Sequence, residues 1–558
     1  MEAPKSPLNA ANPEHITFYY PPLHLAVLGG IRLDGLDRMR VTLKITYSRN
    51  SSPDGGGWEG ASLRHNLDLY NDNQTEKLIR RAAEKLEVGT SFISKSLAEL
   101  TTELEKYRLG EIAKQKVKQE TKKIITEEEK QNAIAFLQTP DLMIRTNEMI
   151  GRSGMIGEES NRLLMYIIFT SRKREHPLHI ISLGSSGTGK TYLQEKVSEL
   201  IPTEDKVSGT SITDNALYYY GKHDLKHKLI LIEDLTGVES MLYTLRELES
   251  KQRITKILAH KDAQGNTKTV SLIVEGPVSI AACTTQESIY EDNANRSFLI
   301  YLDESKEQDE KIMDYQRRRS AGKINAEQEN KIKTLMQNCQ RILQPITVIN
   351  PFAEKLKIPS EVFKLRRTNK HYLDFIEAVT FYYQYQREQK INESTGEVFI
   401  ETTLEDISEA NQLMKEILLR KSDELTGACR NYFERLKNFL KQEKKKTFTN
   451  REIRTALREN HSNQKRFMLQ LLQEGYIRRN IGNQKKGYNY QVLSYEEWNE
   501  MQNKITSVLD EILEKLKQAV QSSKAVQRTN EPLNGYENNK QFSKNGKQAS
   551  ARKKEVGV

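Results

Sequence analysis

The chain has 558 residues, of which 37% are hydrophobic and three are cysteine, so it can bury several cores but cannot build a disulfide framework or a cysteine-based zinc site. The 86 Lys and Arg residues outnumber the 76 Asp and Glu residues, and the net charge of +10 favours a polyanionic partner. We expect a cytoplasmic protein without membrane insertion, because no signal peptide opens the sequence and no apolar run reaches about 18 residues.

Residues 1–108 predict a small α+β domain. Alternating apolar residues in "HLAVLGGIRLDGLDRMRVTLKITYS" predict two strands, and "TEKLIRRAAEKLEV" and "SFISKSLAELTTELEKYRL" predict amphipathic helices. Between them, His65, Asp68 and Asp72 could suggest a metal site, but their spacing matches no ligand template. A strand edge followed by a helix cap is the favoured interpretation. The charged residues 109–139 predict an exposed helical linker.

From about residue 140, helices alternate with short apolar strands, which is typical of an α/β fold. One apolar strand leads into "GSSGTGKT", which matches the phosphate-binding pattern G-x-x-x-x-G-K-[ST] at every fixed position. The pattern predicts that Lys190 contacts the β- and γ-phosphates of ATP and that Thr191 ligates Mg²⁺. The whole predicted nucleotide loop comprises Gly184, Ser185, Ser186, Gly187, Thr188, Gly189, Lys190 and Thr191.

A second aliphatic strand, 229–232, ends in Glu233 and Asp234. Such carboxylates could merely cap a turn. In a parallel sheet, however, they would lie beside the phosphate loop, where they could hold hydrated Mg²⁺ and orient the attacking water. With the loop upstream, the catalytic interpretation is favoured.

The two alternating segments 254–260 and 268–274 flank a polar turn and predict a hairpin. Lys261, Asn266 and Lys268 near its tip could contact a nucleic-acid backbone or could serve only solubility. The pattern favours neither alternative.

The next buried strand ends in Thr284 and Thr285, whose hydroxyl groups could position a water beside the γ-phosphate. Arg296 directly precedes a further strand. It could be a surface charge, or a finger that neutralises transition-state charge across a subunit boundary.

The sequence resembles AAA+ ATPases of the helicase clade, such as minichromosome maintenance helicases. The resemblance lies in the order of the features along the chain: the glycine loop, the acidic strand end, the hairpin, the strand that ends in the threonines, and "NRSF". More narrowly, "GEESNRLLMYIIFTSRKREHPLHIISLGSSGTGKT" and "NALYYYGKHDLKHKLILIEDLTG" are similar to the helicase-type ATPase module of zinc-ribbon primases on bacterial mobile elements. The segments "HNLDLYN" and "RRTNKHYLDFIEAVTFYYQYQRE" extend the resemblance over about residues 20–495.

The resemblance implies an AAA+ core at 140–345 and a helical lid at 346–440. It also implies that Lys190 and Thr191 bind ATP and Mg²⁺, that the acidic pair contacts metal and water, and that Thr284 or Thr285 is sensor 1. Arg296 would be the finger in trans, and Arg366 or Arg367 would be sensor 2.

Two features depart from the family pattern. The usual order of the acidic pair is Asp then Glu, whereas this chain has Glu233 then Asp234, so either residue could polarise water. The cysteine-rich ribbon and the primase motifs are absent from the sequence. Primer synthesis is therefore not expected of this chain.

Residues 441–495 predict a winged helix-turn-helix, with a basic second helix and a basic wing. Its candidate DNA contacts are Lys465, Arg466, Lys485 and Lys486, although some winged helices bind only protein. A helix over 496–520 and a disordered basic tail over 521–558 complete the chain.

These features predict an ATP-hydrolysing DNA motor that forms a homo-oligomeric ring, with a hexamer expected, and that acts in replication of a mobile genetic element. A separate primase could be a partner. Two alternatives stay open: a DNA-binding regulator or loader switched by ATP, and a mobile-element defence ATPase.

Overall fold

The structure is a computed structural model that describes residues 8–33, 38–47, 61–120, 124–184, 186–209, 212–213, 215–235, 241–261, 267–285, 296–480 and 487–529. Contacts within the chain define two compact units, residues 1–124 and residues 125–558.

The first unit is built on an antiparallel sheet whose strands pair in chain order. Its elements are β1 (Leu8–Asn9), β2 (His15–Tyr20), β3 (Leu23–Leu28), β4 (Arg40–Tyr47), β5 (Ser62–Asp68), α1 (Asp72–Leu86) and α2 (Thr90–Glu120). Alternate residues of the strands, such as Phe18 and Leu43, share one core with helix residues such as Leu78 and Leu97. The structure adds β1 and β2 to the strands expected from the sequence, and α2 continues to Glu120, beyond the predicted domain boundary at residue 108.

The segment that suggested a metal site is a strand end and a helix cap. The Asp68 carboxylate accepts a hydrogen bond from the Met39 N–H at 2.8 Å, and the Asn71 side chain caps α1 by accepting one from the Gln74 N–H at 3.0 Å. In the described part of the chain, no three metal-ligating side chains come together. The favoured structural interpretation of this segment is confirmed.

A parallel sheet forms the centre of the second unit. Its strands lie in the order β12-β6-β11-β8-β7. They are β6 (Ile180–Leu183), β7 (Lys206–Gly209), β8 (Lys228–Ile232), β11 (Val278–Thr284) and β12 (Phe298–Tyr301). The three inner strands are almost wholly buried, as expected for a parallel sheet covered on both faces.

The predicted hairpin is present immediately before β11. Strands β9 (Arg253–Lys261) and β10 (Thr267–Glu275) pair antiparallel with each other and form a sheet of their own. Thr267 pairs with Lys261 at the end next to the turn, and Glu275 pairs with Arg253 at the base. The hairpin therefore extends outside the central sheet.

Seven helices of the described chain accompany the sheet: α3 (Glu127–Leu137), α4 (Leu142–Arg152), α5 (Glu159–Thr170), α6 (Lys190–Ser198), α7 (Met241–Lys251), α8 (Lys306–Ser320) and α9 (Ala326–Ile342). Helix α5 is central, because its residues 162–170 are all buried. Helix α3 differs from the predicted exposed linker, since Ala133, Phe136 and Leu137 are buried in the same core as α9.

A small sheet and two long helices follow: β13 (Thr347–Ile349), α10 (Leu365–Tyr382), β14 (Lys390–Ile391), β15 (Val398–Glu401) and α11 (Leu404–Arg420). Phe375 of α10 packs on Phe298 of β12 with ring centroids 5.7 Å apart. These helices therefore share the core of the central parallel sheet.

The next elements are α12 (Gly427–Gln442), β16 (Phe448–Thr449), α13 (Asn450–Leu457), α14 (His461–Gln473), β17 (Ile477–Arg479) and β18 (Asn489–Val492). Helix α12 falls within the predicted lid, yet Tyr432, Phe433 and Leu436 are buried against Phe467 and Ile477. We refer to residues 425–492 as the C-terminal module, because they share this core.

The last described helix is α15 (Glu497–Thr529), which continues through residues predicted to begin the disordered tail. Leu509 and Leu513 bury its first half in the core that contains α11. Residues 530–558 lie outside the described residues. None of the helices described here has the length and apolar character needed to cross a bilayer.

We expect Asp423→Asn to destabilise the C-terminal module. Asp423 and Arg430 form an ion pair at 2.7 Å with both side chains 1% exposed. Breaking a buried pair leaves a poorly compensated charge, so the free energy of unfolding should fall by about 3 kcal/mol. This value is at the lower end of the usual range because Glu434 and Glu497 still contact Arg430. Urea unfolding measures the change.

The matched control is Asp510→Asn, which breaks the exposed pair between Lys415 and Asp510. It should cost less than about 1 kcal/mol. Equal losses in the two variants would contradict the importance of burial here.

Candidate nucleotide site

The glycine loop joins the carboxyl end of β6 to the start of α6. Gly184, Gly187 and Gly189 have φ angles of 144°, 86° and 92°, which side chains rarely permit. Helix α6 begins at Lys190, directly after the loop, so its unpaired N–H groups face the space that the loop encloses. This arrangement suits an anion such as a phosphate. Ser185 lies outside the described residues.

Lys190 is held inside the loop. Its side chain is 7% exposed, and its Nζ donates a hydrogen bond to the Gly184 carbonyl at 2.9 Å. Burial lowers the pKa of the Lys190 ammonium group, while the nearby carboxylates of Glu304 and Asp234 act in the opposite direction. The ammonium has three donors, so it can hold the carbonyl and still bind a phosphate oxygen.

The predicted acidic pair lies at the same edge of the sheet. Glu233 and Asp234 directly follow β8, where Glu233 is half-buried and Asp234 is exposed. Gln194 of α6 donates to the carbonyl of Ile232 at 3.2 Å and so ties the helix after the loop to this strand. The Leu235 N–H donates to the carbonyl of Cys283 at 2.9 Å, which ties the acidic turn to β11.

Thr284 and Thr285 lie between the loop and the acidic pair. Strand β11 pairs with β6 on one side, where Thr284 is opposite Leu183, and with β8 on the other, where Ala282 is opposite Ile232. Thr284 is buried and Thr285 is exposed. Among the described residues, the structure therefore brings together the groups that the sequence predicts around the phosphates, except the arginines.

Oxygen donors at this edge fit a magnesium ion. Thr191 lies in the first turn of α6, half-exposed, and Glu233 and Asp234 directly follow β8 at the same edge of the sheet. Hydroxyl and carboxylate oxygens, completed by water and phosphate, are the ligands that Mg²⁺ prefers.

Arg296 lies at the opposite edge of the sheet. It precedes Phe298, which pairs with Ile180 at the amino end of β6. The loop begins four residues beyond Ile180, so about 13 Å of strand β6 separates the edge of the sheet near Arg296 from the glycine loop. Its Nε donates to the Ser250 hydroxyl at the end of α7 at 2.8 Å. Arg296 therefore cannot reach the glycine loop of its own chain without rearrangement.

Arg366 and Arg367 are exposed at the start of α10. Arg367 and Arg296 line the same cavity of about 250 Å³ at the amino edge of the sheet. Glu249 also lines it, and burial raises the pKa of its carboxyl group to about 7. The predicted lid arginine is therefore beside the predicted finger, on the far side of the sheet from the loop of the same chain.

Sequence reasoning missed Glu304, which follows β12 at the carboxyl edge. Its Oε1 lies 3.9 Å from the position that a Cβ on Gly184 would occupy. The acidic doublet of Asp303 and Glu304 after an apolar strand repeats the pattern of Glu233 and Asp234. That repetition is the signal that could have identified it.

The structure describes some of the candidate DNA-contacting residues but not all of them. Lys465 and Arg466 are exposed near the start of α14. Lys261 ends β9 and Lys268 is the second residue of β10, so both lie near the turn of the hairpin. Asn266, Lys485 and Lys486 lie outside the described residues.

Comparison with known proteins supports a P-loop domain in this chain. A family model described as the MTBMA_p00010 P-loop domain matches residues 123–345. This range runs from α3 to the end of α9 and includes the parallel sheet and the glycine loop. No curated protein matches the chain. Family match and geometry agree that residues 123–345 form a P-loop nucleoside-triphosphatase domain.

Proposed function

We propose that this chain is an ATP-hydrolysing DNA motor of the AAA+ class, acting as a ring in the replication of a mobile genetic element. The observation that carries the proposal is the division of the catalytic groups between two edges of one sheet. The loop, the acidic pair and the threonines lie at one edge, and Arg296 lies at the other.

The order of the strands supports the AAA+ resemblance. Strand β11 separates the loop strand β6 from the acidic strand β8. A water can then be held between the threonine hydroxyls and a carboxylate, in line with a phosphate on the loop. The hairpin before β11 also occupies the position that the resemblance implies.

The residues of the loop edge have distinct tasks in hydrolysis. Lys190 and the N–H groups of α6 stabilise charge that develops on the phosphates. One carboxylate of Glu233 and Asp234 accepts a proton from the attacking water, and Thr284 or Thr285 orients that water. Thr191 and the remaining carboxylate would hold Mg²⁺, which would neutralise phosphate charge.

Charge complementarity supports assembly of copies head to tail. The amino edge presents Arg296, Arg367 and Lys370 around one cavity. The carboxyl edge presents Asp234 and the acidic doublet after β12. Joining the two edges would place the arginines of one copy at the phosphates of the next, and a repeated head-to-tail contact forms a ring when the rotation between copies closes. We propose a hexamer.

Two basic surfaces support a DNA substrate. The C-terminal module has the element order of a winged helix, with Lys465 and Arg466 exposed on its second short helix. The hairpin extends from the ATPase sheet with lysines near its turn. A separate primase in the cytoplasm would complement such a motor.

The C-terminal module also supports a second candidate function, a DNA-binding regulator or loader. In such a protein the winged helix selects a DNA site and ATP switches assembly. Stimulation of ATPase activity by single-stranded DNA together with fork unwinding favours the motor. Sequence-specific duplex binding without unwinding favours the regulator. A defence ATPase shares these features, and a phage-restriction assay separates it from both.

We expect Lys190→Ala to lower ATP hydrolysis by about 100-fold or more, because the mechanism is mainly charge stabilisation. Steady-state phosphate release measures the loss. The matched control is Lys196→Ala on the same helix, whose Nζ contacts Glu199 rather than the loop. Normal hydrolysis by Lys190→Ala would refute the assigned site.

We expect Arg296→Ala to bind ATP but hydrolyse it poorly. Mixing this variant with Lys190→Ala protein should restore part of the activity, because some interfaces then combine an intact loop with an intact finger. The test is ATPase activity across mixing ratios, with subunit exchange monitored.

Ser250→Ala serves as the control for a purely structural role of Arg296. It removes the hydrogen bond between the two side chains but keeps the guanidinium. Loss of activity in Ser250→Ala equal to that in Arg296→Ala, with no rescue on mixing, would argue against a finger in trans.

We expect different effects when the basic residues of the two surfaces are replaced with Glu. Changing Lys465 and Arg466 should weaken duplex binding and reduce its salt dependence, by about one unit of slope for each lost phosphate contact. Changing Lys261 and Lys268 should abolish unwinding and DNA-stimulated hydrolysis with little loss of duplex affinity. Fluorescence anisotropy at several salt concentrations and fork unwinding measure both.

Point changes are preferable to truncation at residue 441, which would remove the partners of the buried α12 residues. The control replaces Lys331 and Lys515 with Glu. Their side chains are 73% and 76% exposed and lie outside the two basic surfaces. It changes the net charge equally and should leave both activities intact. Normal unwinding by the hairpin variant would mean that the hairpin does not contact DNA during movement.

A further inference from the structure

A second cavity, of about 450 Å³, lies next to the glycine loop. It is bounded by the start of α5, the end of β12, the end of α11 and one side of α12. Leu302, which lines it, is 3.7 Å from the position of a Cβ on Gly189, and Glu304, also in its lining, is 3.9 Å from the position of a Cβ on Gly184. A nucleotide with its phosphates on the loop can therefore extend into this cavity.

Arg420 of α11 lines the cavity with unused hydrogen-bonding capacity. Its Nη2 donates to the Asn431 side chain at 3.1 Å. Its Nε and Nη1 are enclosed, and they find no acceptor among the residues that the structure describes. Buried donors of a charged group are costly to leave unpaired, so a shift of the Arg420 side chain that brings them to a ligand acceptor in the cavity would be favourable.

The cavity is acidic, which decides which part of a nucleotide it fits. Its lining includes the carboxyl groups of Glu158, Glu159, Asp303, Glu304, Glu416 and Glu434. Phosphates would be repelled there, whereas ribose hydroxyls and base amino groups can donate to carboxylates. Arg420 then supplies donors to a ring nitrogen, carbonyl or ribose oxygen. The cavity suits the nucleoside end.

Arg420 is also the first cation in a stack that leads to the C-terminal module. Its guanidinium lies 5.3 Å from the ring centroid of Tyr301, at the end of β12, and 5.4 Å from that of Trp498. Arg430 of α12 lies 4.6 Å from the Trp498 ring and 5.0 Å from the Tyr476 ring. Aromatic rings and guanidinium groups thus alternate from the ATPase sheet to the module.

The contact between β12 and α12 leaves little room for independent movement. A Cβ on Gly427, the first residue of α12, would lie only 2.1 Å from the Tyr301 ring. The helix therefore rests directly on this ring. A shift of Tyr301 or Arg420 has to be accommodated by Trp498 and by α12, which belongs to the core of the module.

We propose that Arg420 contacts the nucleoside end of a nucleotide bound on the loop, and that Trp498 transmits its occupancy to the C-terminal module. This inference rests on the proposed nucleotide site. It assigns a binding residue at the lid and a physical path between the ATP site and the DNA-binding surface.

The test uses the fluorescence of Trp498 in the full chain. The protein has two tryptophans, so Trp58→Phe leaves Trp498 as the single reporter. Saturating Mg²⁺-ADP should shift its emission and change its quenching by acrylamide, because the stacking of Arg420 changes. Mg²⁺-tripolyphosphate, which can fill the loop but has no nucleoside, should give little change.

Two variants in the Trp58→Phe background locate the contact. Arg420→Met should weaken ADP binding by about tenfold or more, as expected for lost charge-assisted hydrogen bonds, and should abolish the fluorescence response. Arg435→Met removes another cation from the same cavity, but one that already donates to the Leu457 carbonyl and Glu459. It should change ADP affinity by less than about threefold.

The path is tested by Trp498→Leu in the otherwise unchanged chain. Nucleotide affinity should stay within about twofold, while the ratio of DNA affinities with and without nucleotide should fall towards one. Trp498→Phe keeps an aromatic ring and should retain most of the ratio. A ratio unchanged in Trp498→Leu would refute transmission through this stack.

The outcomes separate this inference from the nucleotide site itself. Absence of ADP binding by calorimetry would overturn the proposed site. Tight ADP binding with no change at Trp498, or an equal response to tripolyphosphate, would overturn the role of Arg420 and leave the site intact. The fluorescence measurements do not depend on DNA binding.

Discussion

The common direction of the five central strands determines where the chemical groups of the P-loop domain lie. Because the strands are parallel, the glycine loop after β6, the carboxylates after β8 and the threonines after β11 meet at one edge although they are far apart in sequence. For the same reason Arg296, which precedes β12, lies at the other edge. In the proposed head-to-tail assembly, a second copy would bring the two edges together.

Short segments that specify their own conformation were predicted well. The glycine loop needs φ angles that glycine adopts, so its spacing is readable in the sequence. The alternating strands around a polar turn predicted the β9–β10 hairpin, and the segment 64–73 predicted a strand edge followed by a helix cap, which the Asn71 side chain provides within one turn of chain. Each of these features depends on neighbours in sequence.

Features that depend on packing between distant elements were not predicted. Glu304 lies beside the glycine loop because β12 pairs with β6, and Arg420 lines the neighbouring cavity because α11 packs beside the end of β12. The buried face of α3 was hidden in a charged segment, and α12 reads as another lid helix although its apolar residues meet Phe467. Amphipathic periodicity shows that a helix has a partner, but it does not say which one.

Cys283 gives the nucleotide edge a chemical property beyond geometry. Its thiol is 2% exposed, next to the loop strand, and donates to the Gln194 side chain at 3.4 Å. Burial raises the pKa of this thiol to about 12, so the reactive thiolate is scarce at neutral pH. Oxidants and alkylating agents that modify exposed cysteines therefore find an inert sulfur here, and this edge of the sheet is insulated from the redox state of its surroundings.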